Sequence, residues 1–467
     1  MANLAEYERY MNRLCEKLGH ADRRAGFREY GRGLMLPIER KSVEPLAAHT
    51  DPWHVSAKHQ SLHHMVAKSD WSDEAVLGGV REWASPAMKL KDGCYWIVDD
   101  TGFPKKGRHS VGVARQYCGQ LGKQDNCQVA VSLSLASKRS SLPIAFRLYL
   151  PQEWSSDKAR RQQAGVPAEI NFATKPQIAL EQIRAAKAVG VPAGVVLGDC
   201  GYGNSVDFRE GVSGLDLRYC LGVQPSTTVW TGERAPLPPK VSRVRRGRPA
   251  TRLCRARGHE PLSVKELAFQ LPARAWRAVT WREGSNAPLR SRFTALRVRA
   301  AHQDWRRSEL REQEWLLIDW PQSESEPVHY WLCTLPANTA LRTLVQTAMT
   351  RWRIERDYQE LKQEFGLSHY EGRGWRGFHH HATLCIAAYG FLLSQRLKGG
   401  GVKKNSAQSE TSLLPEGYTP RGSRKNAAAR SGVDPDAAIP VGSRHRSRAR
   451  AMSVLRAADG ETQFVTQ

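Results

Sequence analysis

Three acidic positions in the chain have the residue types that a metal site for phosphoryl transfer requires. Asp99 follows the apolar run 94–98, and Asp199 follows the apolar run 193–197. A third acid, Glu355, lies in a later segment of helical periodicity. Mg²⁺ and Mn²⁺ prefer oxygen ligands, and two such ions about 4 Å apart need at least three carboxylates to hold them. An aspartate after a strand is also ordinary turn chemistry, so these positions alone leave both interpretations open.

The segment 350–362 could place an acid between two cations on one side of a helix. Arg351, Glu355 and Lys362 are spaced so that their side chains share a helix face. The carboxylate could then bind metal while the flanking cations contact DNA phosphates. A surface helix with internal ion pairs would have the same spacing, so the spacing favours neither interpretation.

Strands and a helix must bring the first two acids together. The run 94–98 predicts a strand that ends at Asp99, and alternating β-type runs follow it. A helical segment and a buried strand then lead to Asp199. The predicted elements after the first strand are strands 109–116, 127–136 and 142–150, helix 176–189 and strand 193–197. This order places acids at the ends of two strands.

The remainder of the chain contains helices at both ends and β-type runs between them. Residues 1–90 have helical periodicity. After residue 205 the predicted strands are 217–223, 278–281, 293–299, 315–320 and 329–335. One helix is predicted from Leu341 through Phe365, and a second from Phe378 to Leu397 is apolar enough to be buried.

The composition indicates a nucleic-acid partner. The chain has 70 Lys and Arg against 46 Asp and Glu, which gives a formal net charge of +24 over 467 residues. An excess of this size indicates affinity for a polyanion, most simply nucleic acid. The apolar stretch 382–393 is too short to span a bilayer, and the first twenty residues lack a signal-peptide core. Nine cysteines without a Cys-x-x-Cys pair argue against a disulfide framework and a structural zinc, so we expect a cytoplasmic protein.

Two basic segments have few large apolar residues. The segment 238–259 is interrupted by Pro and Gly and predicts an exposed basic arm, and the tail from residue 398 on has the composition of a disordered segment. Within the arm, Arg246-Gly-Arg248-Pro resembles the core of an AT-hook, which would insert arginines into the minor groove of A·T-rich DNA. Phosphate contact without sequence preference is the equal alternative.

Two further motifs could suggest chemistry. The run His379-His380-His381 suggests metal binding, but three consecutive residues do not share a helix face, so a surface cluster at a helix start is favoured. Cys200 stands beside Asp199, yet it has no evident base partner. We therefore expect Cys200 to be a packing residue.

Three motifs together resemble one protein family. The string Arg351-Trp-Arg-Ile-Glu355, with Lys362 seven residues after the Glu, resembles the Glu-bearing signature of bacterial insertion-sequence transposases of the DDE superfamily. Residues 96–107 and 109–117 resemble that superfamily's first-Asp region, and 197–203 resembles its second. The motifs occur in the order that the superfamily has.

The resemblance implies an α/β fold of the mixed α+β kind, with an RNase H-like mixed sheet flanked by helices, a β-rich insertion and an N-terminal helical domain. The implied domains are 1–90, helical and DNA-binding; 91–204 with 341–397, catalytic; 205–340, the β-rich insertion that carries the arm 238–259; and 398–467, a basic tail. It also implies that Asp99, Asp199 and Glu355 form a catalytic triad that binds Mg²⁺ or Mn²⁺ as two ions. The expected DNA contacts are Arg351, Lys362, Lys105, Lys106, Arg245, Arg246 and Arg248.

The implied function is cut-and-paste DNA transposition. Such a protein binds the terminal inverted repeats of an insertion sequence, cleaves DNA by metal-dependent hydrolysis and joins the 3′-OH ends to target DNA. Double-stranded DNA is the expected partner, a homodimer is expected on DNA, and the expected location is the cytoplasm, at the nucleoid. An RNase H-like structure-selective nuclease and a non-catalytic DNA-binding derivative of a transposase are the alternatives. A phosphatase of the haloacid dehalogenase class is disfavoured by the spacing of the aspartates in 98–101.

Two features of the chain depart from the superfamily signature. The signature has a Tyr three residues before its Arg, where this chain has Ala348, so excision through a DNA hairpin is not implied. The first Asp is doubled, and strand alternation allows either Asp99 or Asp100 as the ligand, with Asp99 preferred. Glu360 and Glu364 are alternative acids on the helix.

Overall fold

The computed structural model describes residues 2–232, 234–239, 250–282 and 288–399. Within these residues the strands join in one 12-stranded sheet. The strands are β1 Tyr95–Pro104, β2 Ala114–Cys118, β3 Lys123–Ala136, β4 Ser141–Leu148, β5 Val195–Gly198, β6 Tyr219–Val223, β7 Thr228–Thr231, β8 Leu262–Ser263, β9 Arg277–Arg282, β10 Leu289–Ala300, β11 Glu314–Asp319 and β12 His329–Cys333. Residues 240–249 of the predicted arm, with Arg245, Arg246 and Arg248, and the tail from residue 400 on lie outside the described residues.

Helices precede the sheet, interrupt it and follow it. The helices before it are α1 Ala2–Cys15, α2 Arg23–Met35, α3 Val43–Thr50, α4 Val55–Ala67 and α5 Asp73–Ala84. Those within it are α6 Gln152–Ser156, α7 Lys158–Gln163, α8 Lys175–Ala188, α9 Cys200–Gly203, α10 Val206–Ser213 and α11 Val264–Gln270. Those after it are α12 Leu341–Met349, α13 Trp352–Gln363 and α14 Trp375–Gly399.

The sheet mixes parallel and antiparallel strands around β1. Strand β1 pairs antiparallel with β3 on one side and parallel with β5 on the other, and β5 pairs parallel with β6. Strand β12 then pairs antiparallel with β6, so the strands of the predicted insertion continue the same sheet. A mixed sheet flanked by helices confirms the predicted RNase H-like α+β fold. The predicted domain boundaries stay a prediction.

Residues on β1 alternate between two hydrophobic cores. Trp96 and Val98 face the larger core, which contains apolar side chains of α8, α14 and the helices before residue 90. Tyr95 and Ile97 face a smaller core that contains side chains of α12 and α13. Because successive side chains on a strand point to opposite faces, this alternation also decides where the acids after Val98 point.

Three predicted elements have wrong boundaries. Strand β1 does not end at residue 98 but continues to Pro104, because β3 supplies pairing partners along its whole length, up to Cys127 opposite Pro104. The predicted helix 341–365 is divided at Thr350 into α12 and α13. The hydroxyl of Thr350 donates to the carbonyl of Gln346 at 2.7 Å, and such side-chain bonds compete with helical backbone bonds. The predicted strand 109–116 also starts late, at Ala114.

The three consecutive histidines of α14 are buried, so the predicted surface cluster was wrong. His379 and His380 bond to backbone groups of β4 and of the helical region before the sheet, at distances of 2.9–3.1 Å. His381 shares a hydrogen bond with the Tyr30 hydroxyl and another with the Gly366 carbonyl, both 2.9 Å. The helices before residue 90 therefore join α14 through polar as well as apolar contacts. Within the described residues, no helix has the length and apolarity to cross a membrane.

Candidate active site

Asp99 is buried in β1 on the face that α13 covers. One carboxylate oxygen, Oδ2, accepts a hydrogen bond from Nη1 of Arg351 at 2.9 Å. The other, Oδ1, accepts from the backbone N–H of Asp100 at 2.8 Å. Burial raises the pKa of Asp99 well above its usual range, the Arg351 guanidinium opposes this rise, and the charges of Glu355 and Asp199 add to it. Carboxyl groups with strongly shifted pKa values are concentrated at functional sites, so Asp99 marks a candidate site.

Asp199 lies at the same level on the neighbouring strand. The parallel pairing of β1 with β5 sets Ile97 opposite Leu197, and two residues further along each strand are Asp99 and Asp199. Neighbouring strands lie about 4.8 Å apart, so the two acids are close at the carboxyl end of β5. The Oδ1 atom of Asp199 accepts the N–H of Gly201 at 2.8 Å and so holds the turn into α9.

Glu355 completes the cluster from α13. It lies in the first turn of that helix, four residues after Arg351, which stands at the break between α12 and α13. Nη1 of Arg351 is 3.5 Å from Oε1 of Glu355, so one guanidinium lies between the acids of β1 and α13. Arg351 thus links Asp99 with Glu355, and Asp199 is next to Asp99 on the neighbouring strand, so the predicted triad stays a prediction.

Helix α13 is attached to the sheet directly behind the acids. The hydroxyls of Tyr358 and Ser132 share a 2.8 Å hydrogen bond, and Ser132 is the cross-strand partner of Asp99. Asp357 accepts hydrogen bonds from Ser141 at 2.6 Å and from Tyr389 at 2.8 Å. The sequence did not predict these contacts, because the partners lie far away in the chain. Helical spacing does not show which elements pack against the side of α13 that carries Asp357 and Tyr358.

Two of the alternative acids, Asp100 and Glu360, are paired with cations other than Arg351. Asp100 points to the opposite face of β1, where Nζ of Lys175 on α8 contacts its Oδ2 at 2.9 Å. Glu360 forms ion pairs with Arg356 at 3.0 Å and with Arg396 at 2.5 Å. These contacts support Asp99 over Asp100 and Glu355 over Glu360, and the assignment of the ligands stays a proposal.

The predicted DNA contacts differ in how they are placed. Nζ of Lys362 donates to the carbonyl of Gly102 at 2.7 Å and to Oε1 of Gln120 at 3.2 Å. Lys105 donates to the carbonyl of Tyr370 at 2.8 Å, and burial lowers its pKa. Lys106 is exposed. Lys106 is therefore better placed than Lys105 to contact DNA at the surface.

The donors of the cluster suit a hard cation. All three predicted ligands offer carboxylate oxygens, as Mg²⁺ and Mn²⁺ prefer. In the part of the chain that the structure describes, however, no group of three or more His, Cys, Asp or Glu side chains has the arrangement of a metal site. The fit of the triad to a metal thus rests on donor chemistry. The neighbouring thiol of Cys200 is no competing nucleophile, because burial raises its pKa and the charge of Asp199 raises it further.

Two comparisons found similarity between this chain and known proteins. A family model described as DDE superfamily endonuclease matches residues 13–288, more than half of the 467 residues. A probable transposase for insertion sequence element IS701 from Microchaete diplosiphon is 33% identical over 166 residues. That alignment covers 35% of this chain and 40% of the relative, so the chain spans about two fifths of the relative's length. The family match includes Asp99 and Asp199 and ends before Glu355. The assignment of Glu355 therefore depends on the signature around it and on its position in the structure.

Proposed function

The chain belongs to the DDE superfamily of endonucleases, and we propose that it is a cut-and-paste DNA transposase. It would bind the terminal inverted repeats of an insertion sequence, cleave DNA hydrolytically and join the 3′-OH ends to target DNA. The observation that carries this proposal is that Arg351 contacts both Asp99 of β1 and Glu355 of α13, while Asp199 follows the neighbouring strand β5. The probable transposase from Microchaete diplosiphon supports the choice of transposition among the activities of the superfamily.

In this proposal Asp99, Asp199 and Glu355 hold Mg²⁺ or Mn²⁺, as two ions. When bound, such ions make water or a 3′-hydroxyl a better nucleophile and stabilise the charge on the phosphate. The protein contributes position: β1 and β5 set two acids side by side, and α13 brings the third. Arg351 offsets the repulsion between Asp99 and Glu355, both of which it contacts.

Cleavage and joining are both substitutions at phosphorus, so one cluster can serve both steps. Transposition also needs two element ends held together, and we therefore propose a homodimer on double-stranded DNA. The basic character of the chain, with its formal net charge of +24, supports a DNA partner.

The substitution Glu355→Gln tests the proposed function. It removes one negative charge and keeps the shape, and the ion pair it breaks is partly exposed, with Glu355 31% exposed. Stability should therefore fall by less than about 1 kcal/mol. Cleavage and strand joining should both fall at least about 100-fold, since loss of a ligand should exceed the effect of a residue that merely supports one.

The assay uses the full chain, Mg²⁺ and DNA that carries the repeats flanking the gene, with products read at nucleotide resolution. Glu360→Gln is the matched control, because it makes the same change on the same helix but away from the cluster. Near wild-type cleavage by Glu355→Gln, with Glu360→Gln inactive, would refute the assignment. Cleavage by the wild type without joining would favour a structure-selective nuclease, and DNA binding without cleavage would favour a non-catalytic derivative.

A further inference from the structure

The hairpin of β2 and β3 extends beyond the core of the sheet. Strand β4 covers one edge of β3 from Ala130 to Ala136, whereas β2 pairs with the other end of β3, from Lys123 to Cys127. The end of this hairpin exposes large apolar groups, because Tyr117 is 49% exposed and Leu121 is 41% exposed. Single exposed apolar side chains are ordinary on a protein surface, so the position and the charged surroundings of this tip must indicate what it binds.

The tip lies close to the candidate active site. A Cβ atom at Gly102 of β1 would lie 2.9 Å from Sγ of Cys118, so the hairpin packs tightly on the end of β1. Gln120 of the tip accepts a hydrogen bond from Lys362 at 3.2 Å. Lys362 is two helical turns beyond Glu355, about 10 Å along α13, which is the length of about three nucleotides.

The surroundings of the tip are rich in cations. On β2, Arg115 and Tyr117 are two residues apart and share the exposed face. Lys106 and Arg108 are exposed in the neighbouring loop, which Asn126 fixes by donating to the carbonyls of residues 105 and 107 at 2.6 and 2.9 Å. The acid of the hairpin, Asp125, is paired with Lys123 at 3.2 Å. This charge is complementary to a nucleic-acid backbone.

We propose that the hairpin tip binds a DNA end beside the cleavage position, with the ring of Tyr117 stacked on an unpaired base. The inference rests on the proposed function, which places DNA at the acids. Inside a duplex both faces of a base are covered by its neighbours, so a ring at an exposed tip can stack only on a base at an end or one that has left the stack. Cleavage at the acids would create an end, and a base that has left the duplex about three nucleotides from this end would reach the tip.

Binding of two mixed-sequence DNA probes tests this proposal. One is a blunt duplex, and the other is the same duplex with a single-stranded extension that contains 2-aminopurine. Affinity is measured by fluorescence anisotropy in EDTA with the full chain, so that no cleavage intervenes. Stacking on an aromatic side chain tolerates any base, so the terminal-repeat sequence need not be known.

Tyr117→Ala should weaken binding of the extended probe by about 5-fold to about 150-fold and leave the blunt probe nearly unchanged. The wild type and Tyr117→Phe should quench 2-aminopurine, because both keep an aromatic ring, whereas Tyr117→Ala should not. Phe269→Ala is the matched control, since Phe269 is 51% exposed on the surface of α11. It should bind both probes as the wild type does.

Equal affinity of Tyr117→Ala and wild type for the extended probe would overturn the proposal. An equal loss for both probes would also overturn it, because it would indicate phosphate contact or altered folding. Wild-type protein from the same preparation is assayed for cleavage of DNA with the flanking repeats. Cleavage together with an unchanged Tyr117→Ala affinity refutes the hairpin surface alone, whereas absence of cleavage refutes the proposed function.

Discussion

Asp357 should make the protein less stable as pH rises, and Asp357→Asn should remove that loss. The side chain is 1% exposed and is held between α13, β4 and α14. Burial raises the pKa of Asp357 to about 7, although the hydrogen bonds from Ser141 and Tyr389 act in the opposite direction. The folded protein therefore retains this proton at a pH where the unfolded chain has lost it.

The sign and size of the effect follow from the two pKa values. Below about pH 4 both states are protonated, and the group adds no pH dependence. Between about pH 4 and about pH 7 the unfolded state ionises first, so stability falls by about 1.4 kcal/mol per pH unit and levels off above. The whole loss is on the order of 4 kcal/mol. Asparagine has no proton to lose, and its amide can donate to Ser134, which lies 3.4 Å from Oδ2 of Asp357.

Urea unfolding of the wild type and of Asp357→Asn at about pH 5 and about pH 8 measures this effect. The wild type should lose stability from the lower to the higher pH, by up to a few kcal/mol, and the variant should not show this loss. Asp304→Asn is the control, because Asp304 is also buried but is paired with Arg255 at 2.9 Å. That variant should be less stable than the wild type at both pH values. If the difference between Asp357→Asn and wild type does not change with pH, or changes in the opposite direction, Asp357 is ionised in the folded protein and the reasoning fails.

Two further predictions concern the histidines of α14 and the basic arm. His381→Phe should destabilise the protein by about 1–3 kcal/mol, because the Tyr30 hydroxyl and the Gly366 carbonyl lose their partner, and addition of EDTA should leave the melting temperature of both proteins unchanged. An EDTA-induced fall in the wild type alone would instead indicate a metal at His381. Replacement of the three predicted DNA-contacting arginines of the arm by Ala should lower the salt dependence of DNA binding by up to about three in log–log slope. An unchanged slope and affinity would show that the arm does not contact DNA.

The sequence predicted those parts of the site that depend on local spacing. Glu355 and Lys362 lie on α13 and Arg351 directly precedes it, and residues four and seven apart share a helix face. Asp99 and Asp199 each follow a short apolar run of the kind that forms buried strands, and the pairing of β1 with β5 makes these runs neighbours. The helix break at Thr350 was not predicted, because a single hydroxyl bond to a backbone carbonyl leaves no periodic signal.

The sequence by itself determined that Asp99 and Asp100 point to opposite faces, since side chains alternate along any strand. Only the tertiary structure decided which face α13 covers and which face α8 covers, and so which acid meets Arg351 and which meets Lys175. The same holds for Asp357, whose partner Ser141 is 216 residues away in the chain. Periodicity relates the directions of neighbouring side chains, whereas the burial and charge around a carboxyl depend on elements that only packing brings together.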